Sequence, residues 1–214
     1  MTISLASLGQ KNAIFLNPKG DTIDFESHYS YVISGEFKSE YNRKTKIRSL
    51  IPFPQGELKS ELAKTRKKTL LSDKLGQNFP RIITNDIEGN QFDSYFYKGK
   101  VIVLNFWFIG CAPCEMERPE LNAIYSKYEN NPDIVFVSFA KNSKSQLIEF
   151  LKKKPFNYPV IVLTDELIDS LDINYGYPQN QIIGKDGTYV FNSKAAGIGS
   201  GIIINEAIKT ALKE

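Results

Sequence analysis

The sequence predicts an α/β fold in which a central sheet is flanked by helices, on three observations. Residues 101–107 and 134–140 are nearly continuous apolar runs rich in β-branched side chains, the signature of strands buried on both faces. A helical pattern at 145–154, with Leu147, Phe150 and Leu151 on one side, separates the second run from a further strand-like segment at 159–163. The resulting order, βαβαβ, implies a mostly parallel sheet with helices packed on it.

The elements follow in order. Residues 13–16 and 22–25 alternate and flank Asn17-Pro18-Lys19-Gly20, which predicts two short strands joined by a turn, with a third strand at 29–37. A polar stretch with Pro52 and Pro54 precedes a helix predicted at 57–71, with Leu58 and Leu62 on one face and Lys64, Arg66, Lys67 and Lys68 carrying the charge. A hairpin is predicted from 81–84 and 91–96 about Glu88-Gly89-Asn90, ahead of the strand at 101–107 and a helix that opens on Cys111. Beyond the strand at 159–163 come a short helix at 165–171, a hairpin of 181–184 and 188–191 about Lys185-Asp186-Gly187, and a closing helix at 202–212. The change in pattern near residue 73 divides the chain into an N-terminal extension, 1–72, and a main domain, 73–214.

The composition is that of an ordinary globular protein: 214 residues, 42% hydrophobic and 24% charged. No cofactor is needed to explain its folding. The net charge of +3 is too small to imply nucleic acid, although residues 38–68 hold ten Lys or Arg against three Glu. That local excess reads as a solvated helix face and a polar loop, ahead of a docking patch for an acidic partner or membrane surface. No run of 18 apolar residues exists, so no transmembrane segment is expected. The opening residues 1–9 lack a basic n-region and a full h-region and do not read as a complete signal peptide.

The two cysteines, Cys111 and Cys114, are too close to staple distant parts of the chain, and redox chemistry is the favoured use of such a pair. Cys111 falls where a strand has ended and a helix begins. Unpaired N–H groups and the helix dipole there favour thiolate, the nucleophilic form. Cys114, one turn inside, is placed to swing onto the first sulfur and is expected to be the less exposed. Pro113 suits the first helical turn, and Pro119 is expected to kink the helix ahead of Leu121, Ile124, Tyr125 and Tyr128.

The stretch Asn105-Phe106-Trp107-Phe108-Ile109-Gly110-Cys111-Ala112-Pro113-Cys114-Glu115-Met116-Glu117-Arg118-Pro119-Glu120-Leu121 resembles the active-site segment of the TlpA/ResA-like branch of the thioredoxin superfamily. Gly176-Tyr177-Pro178, followed by 179–183 and Gly184-Lys185-Asp186-Gly187, is similar to that family's cis-proline strand and hairpin. The resemblance covers roughly residues 74–214. It implies a thioredoxin-like fold with a central mixed sheet, here with a small N-terminal β/α extension. It also implies a thiol-disulfide oxidoreductase, more often a reductant, that exchanges disulfides with a disulfide-bearing or dithiol partner and is recharged by an upstream thiol-disulfide donor. Such proteins face the periplasm or are tethered to the membrane. Cys111, Cys114 and Glu117 would carry the chemistry, Glu117 as a proton carrier for Cys114. Tyr177 and Pro178, with Gly110, Ala112 and Pro113, would hold the substrate.

The chain departs from the family at Asn105, where thioredoxin has a buried aspartate, at Gly110 in place of Trp, and at Gln179 and Asn180 after the proline. The last three are expected to alter the substrate-facing rim. His28, the only histidine, is read as a surface residue, and two cysteines with one distant histidine do not make a zinc site. Two alternatives remain: a thiol peroxidase-like redoxin, although Phe108 stands where a peroxiredoxin has Thr, and a non-catalytic binding module on the same scaffold.

Overall fold

A computed structural model describes residues 13–54, 56–194 and 199–214, so the reading of residues 1–9 lies outside the described residues. The first described elements of the extension are β1 (Ile14–Leu16) and β2 (Thr22–Ile23), antiparallel, whose turn is closed by the Asn17 side chain accepting the N–H groups of Lys19 and Asp21. The third strand expected at 29–37 is instead helix α1 (Phe25–Ser34). Asp24 caps it, accepting the Ser27 N–H at 2.8 Å and the Ser27 hydroxyl at 2.7 Å. Tyr29, Val32 and Ile33 then bury one helical face, and Gly35, at φ 86°, ends the helix.

The stretch up to Pro52, read as a polar connection, contains strand β4. It follows β3 (Phe37–Asn42), and β4 (Ile47–Pro52) lies between β3 and β1 in a sheet ordered β2-β1-β4-β3. Only Leu50 is fully buried there, and the polar, half-buried Arg48 and Ser49 obscure the alternation. Helix α2 (Glu57–Thr69) buries Leu62, Thr65 and Thr69. It stops short of the expected residue 71 because Leu70 bridges Ser193 and the Leu71 N–H donates to the Asn192 carbonyl.

His28 is fully buried, which overturns its reading as a surface residue. Nδ1 lies 3.2 Å from the Leu16 carbonyl and Nε2 2.8 Å from the Ser39 hydroxyl. Because a carbonyl can only accept, Nδ1 carries the proton and Nε2 accepts from Ser39. Burial pushes its pKa down to about 4, so the ring is neutral and bolts α1 between β1 and β3.

In the main part, β5 (Ile83–Asn85) and β6 (Gln91–Asp93) form the hairpin, tied at its turn by Asp86 accepting the Glu88 and Asn90 N–H groups. There follow β7 (Val101–Trp107), α3 (Ala112–Tyr128), β8 (Ile134–Ala140), α4 (Lys144–Lys153), β9 (Val160–Val162) and α5 (Asp165–Leu171). The chain closes with β10 (Gln179–Ile183), β11 (Tyr189–Lys194) and α6 (Ser200–Lys213). The five-stranded sheet runs β11-β10-β7-β8-β9, with β7, β8 and β9 parallel and β10 and β11 antiparallel, hence mixed.

The buried strand β7 distributes its residues by the period of two. Val101, Val103 and Trp107 join one apolar cluster with Leu121, Ile124 and Ile208 of α3 and α6, while Ile102, Leu104 and Phe106 join another with Phe92 and Leu171. The first cluster also holds Tyr29, Ile33 and Leu50, because α1 packs on α3 and α6. The extension therefore lies on the face of the sheet that carries the cysteines.

Candidate active site

After Trp107 the chain leaves the sheet in a tight turn. The Cys111 N–H donates to the Phe108 carbonyl, and the Ile109 N–H donates to Asn142 Oδ1 at 2.8 Å, pinning the turn to the loop after β8. Gly110 has φ 92°, and nothing lies within 4 Å of where a Cβ would stand, so backbone conformation rather than space selects glycine. Cys111 is the N-cap of α3. Its Sγ accepts the Cys114 N–H at 3.2 Å, at the helix end where N–H groups and the dipole in general favour a thiolate over a thiol.

Cys111 and Cys114 form a disulfide with Cα atoms 5.3 Å apart. Cys114 is not the more shielded residue: Cys111 is 3% exposed and Cys114 7%. The N-cap sulfur is turned back onto the first helical turn and bonded there, so the pair is covered together. Around it, Phe108, Gly110, Ala112, Pro113 and Met116 are exposed and form the rim. Helix α3 continues through Pro119 as one element.

Glu117, one turn beyond Cys114 on the same helix face, is 3% exposed. Both its carboxylate oxygens accept from Asn180 Nδ2 at 3.0 Å, and Asn180 Oδ1 accepts from Asn105 Nδ2 at 2.9 Å. Asn105 and Asn180 are register partners, with Ser138 beside the first and Ser193 beside the second. A polar row, Ser193, Asn180, Asn105, Ser138, thus crosses the sheet below α3. Burial pushes the Glu117 pKa up to about 8; the Asn180 amide opposes the shift and nearby Glu120 adds to it. Glu120, also raised by burial, to about 7, accepts the Gly201 N–H at 2.7 Å. The Tyr158 hydroxyl is buried without a partner among the described residues, and both burial and Glu117 raise its pKa.

Gln179 and Asn180 do not belong to the substrate-facing rim, since they are 0% and 2% exposed. As the first residues of β10 they point to opposite faces: Asn180 to Glu117, and Gln179 to Asn192, whose Oδ1 accepts from Nε2 at 3.0 Å. The signal for Asn180 was a run of three amides, Gln179-Asn180-Gln181, beside two isoleucines, but only the register with Asn105 gives it meaning. Immediately before β10 the Tyr177–Pro178 peptide is cis. Gln179 pairs with Phe106, so this bond lies at the sheet end from which the cysteine turn leaves. The Tyr177 and Phe108 rings meet edge to face at 5.4 Å. Among the described residues no group of three or more His, Cys, Asp or Glu is placed to hold a metal.

Fold and site together define a class: a thioredoxin-fold protein with a dithiol/disulfide pair at a helix N-terminus. The chain belongs to the AhpC/TSA family, which it matches over residues 75–191. Its curated relatives include thiol-disulfide oxidoreductase ResA of Bacillus thuringiensis, 29% identical over 117 residues, 54% of this chain and 67% of the relative. ResA of Geobacillus thermodenitrificans is 26% identical over 140 residues, 65% of this chain and 76% of that one. The fold is shared with a thiol:disulfide interchange protein from Chlorobium tepidum, at TM-score 0.56 and 23% identity over 66% of this chain and 99% of that one. It is also shared with a secreted Mycobacterium tuberculosis disulfide oxidoreductase, at TM-score 0.53 and 21% identity over 61% and 96%. The chain is accordingly a thiol-disulfide oxidoreductase of the thioredoxin fold. No helix among the described residues is long and apolar enough to cross a membrane.

Proposed function

We propose that the protein reduces disulfides in partner proteins on the oxidising side of a membrane. The Cys111 thiolate attacks one sulfur of the partner disulfide, a mixed disulfide forms, and the partner's other sulfur leaves as thiolate. Cys114 then attacks Cys111 Sγ, closing the 111–114 disulfide and releasing the partner as a dithiol. An upstream thiol-disulfide donor restores the dithiol. Gly110, Ala112, Pro113, Tyr177 and Pro178 hold the partner segment at the rim. Glu117 takes the proton of Cys114 during resolution, being buried, on the same helix face and with its pKa raised into the working range.

The single observation that carries this reading is the buried Glu117 below a cysteine pair at a helix N-terminus. Burial of the pair at every pH, and the ionised acid above pH about 8, disfavour a neighbouring thiolate, which weakens stabilisation of the reduced form and supports the reductant direction. In the same reading residues 73–214 are the catalytic domain and residues 1–72 an extension that shapes the partner surface. The test is trapping: Cys114→Ser accumulates mixed disulfides with partners, whereas Cys111→Ser captures nothing. Equal trapping by both variants would reverse or abolish the assigned roles.

A further inference from the structure

Between the extension and the first turns of α3 lies a cleft of about 840 Å³. On the α3 side it is bounded by Pro113, Met116, Glu117 and Glu120. Pro113, which sits between the two cysteines in sequence, brings the cleft next to the redox pair, and Met116, also in its lining, is 76% exposed. The opposite wall combines the rings of Tyr29, Phe37 and Phe53 with the cations Lys38, Arg48, Lys64 and Lys68.

These cations are not equivalent. Lys38 is paired with Glu57 at 3.3 Å and Lys64 with Glu61 at 2.7 Å. Arg48 and Lys68 have no ion pair among the described residues. The Arg48 guanidinium lies over the Tyr41 ring at 5.0 Å and donates to the Ser39 hydroxyl at 3.3 Å, and its Nε is buried with no acceptor among the described residues. A buried donor without a partner costs roughly 1–3 kcal/mol, and none of the described residues supplies an acceptor for this one. The carboxyls across the cleft are already engaged: Glu115 by Arg118 and Lys154, Glu117 by Asn180, Glu120 by Gly201.

We propose that this cleft recognises the partner polypeptide, taking a segment in which Asp or Glu stands among apolar residues close to the cysteine that Cys111 attacks. Arg48 and Lys68 receive the acid, and the rings of Tyr29, Phe37 and Phe53 receive its apolar neighbours. The basic excess of residues 38–68 is then a partner-selecting wall rather than a solvated face. The inference rests on the exchange reading above and adds the chemistry of the partner.

The experiment uses the full chain, reduced, and three peptides differing only in whether their single cysteine is flanked by Glu, Gln or Lys. Each cysteine is first capped as a mixed disulfide with nitrothiobenzoate. Attack by Cys111 joins its sulfur to the peptide sulfur and expels the coloured thiolate, whose release gives the rate. The Glu peptide should react about tenfold faster than the Gln peptide at low salt, with the advantage shrinking at high salt, and the Lys peptide should be slowest. The ratio of Glu to Gln rates should fall to about one in Arg48→Gln combined with Lys68→Glu. In Lys68→Glu alone, a change at an exposed position, it should fall part of the way. Equal rates for the three peptides, a Lys peptide that is fastest, or a ratio that survives the double variant would overturn the proposal. A separate arm, reduction of a small neutral disulfide by the unaltered protein, distinguishes the two readings: activity there with no peptide preference removes only the cleft, and no activity removes both.

Discussion

At the scale of single residues, Glu117 is where the sequence and the structure meet most closely. Its spacing from Cys114 and the family pattern marked it in the sequence, and the structure adds its burial and its amide partners. What could not be read was the support. Asn105 was visible as a missing aspartate and Asn180 as a departure after the proline, but their pairing below Glu117 depends on a strand register that no local pattern encodes. His28 was misread for a similar reason, since its partners Leu16 and Ser39 come from two strands, one on each side of α1 in sequence. Glu117→Gln should form the first mixed disulfide at near-normal rate but resolve it roughly 10²-fold more slowly, followed by stopped flow across pH. Stability gives a second readout with a definite sign. The folded-state pKa of about 8 lies above the ordinary 4.5, so the native protein binds the extra proton and stability falls as pH rises from about 4.5 to 8. Urea unfolding of the oxidised proteins should therefore find Glu117→Gln similar to the parent near pH 4.5 and increasingly more stable than it toward pH 8. Asn180→Ala removes the amide that lowers the Glu117 pKa, so the pH at which resolution accelerates should move upward; an unmoved profile would separate Glu117 from proton transfer.

At the scale of elements, strands buried on both faces were the most legible part of the chain. A continuous β-branched run of that length is too short for a buried helix and too apolar for a surface loop, and β7 and β8 match their predicted bounds. The extension was the least legible. Helix α1 has an alternation that also suits a strand, and the Asp24 cap with Tyr29, Val32 and Ile33 at helical spacing decided the matter. Strand β4 was hidden because only one of its residues is fully buried. The helices over the cysteine face are held together at a close approach that the sequence did not announce. A Cβ on Gly201 would stand 2.7 Å from Glu120 Cβ, where the Gly201 N–H now meets the Glu120 carboxylate. Gly201→Ala should cost about 1–3 kcal/mol by overpacking, measured by urea unfolding. A change within about 0.5 kcal/mol would mean that α6 shifts freely on α3, and that the wall carrying Glu120 is soft.

At the scale of the whole molecule, the mixed five-stranded sheet places the cysteine turn, the Tyr177–Pro178 peptide and Glu117 at one end, and the extension closes over the same face. The parallel strands and the terminal hairpin of the main part were readable from the βαβαβ pattern, whereas the order of the strands in the sheet and the docking of the extension were not, the latter because it depends on α1 contacting two helices distant in sequence. The central claim is that Cys111 and Cys114 form a reducing couple, and the redox midpoint tests it most directly. Protein equilibrated in dithiothreitol redox buffers at pH 7, quenched and alkylated, should titrate as one two-electron transition with two thiols per chain, at about −220 mV or lower, the range of reductants such as thioredoxin. A midpoint near about −120 mV would make the protein an oxidant, and the absence of any two-thiol transition would contradict the dithiol/disulfide couple itself.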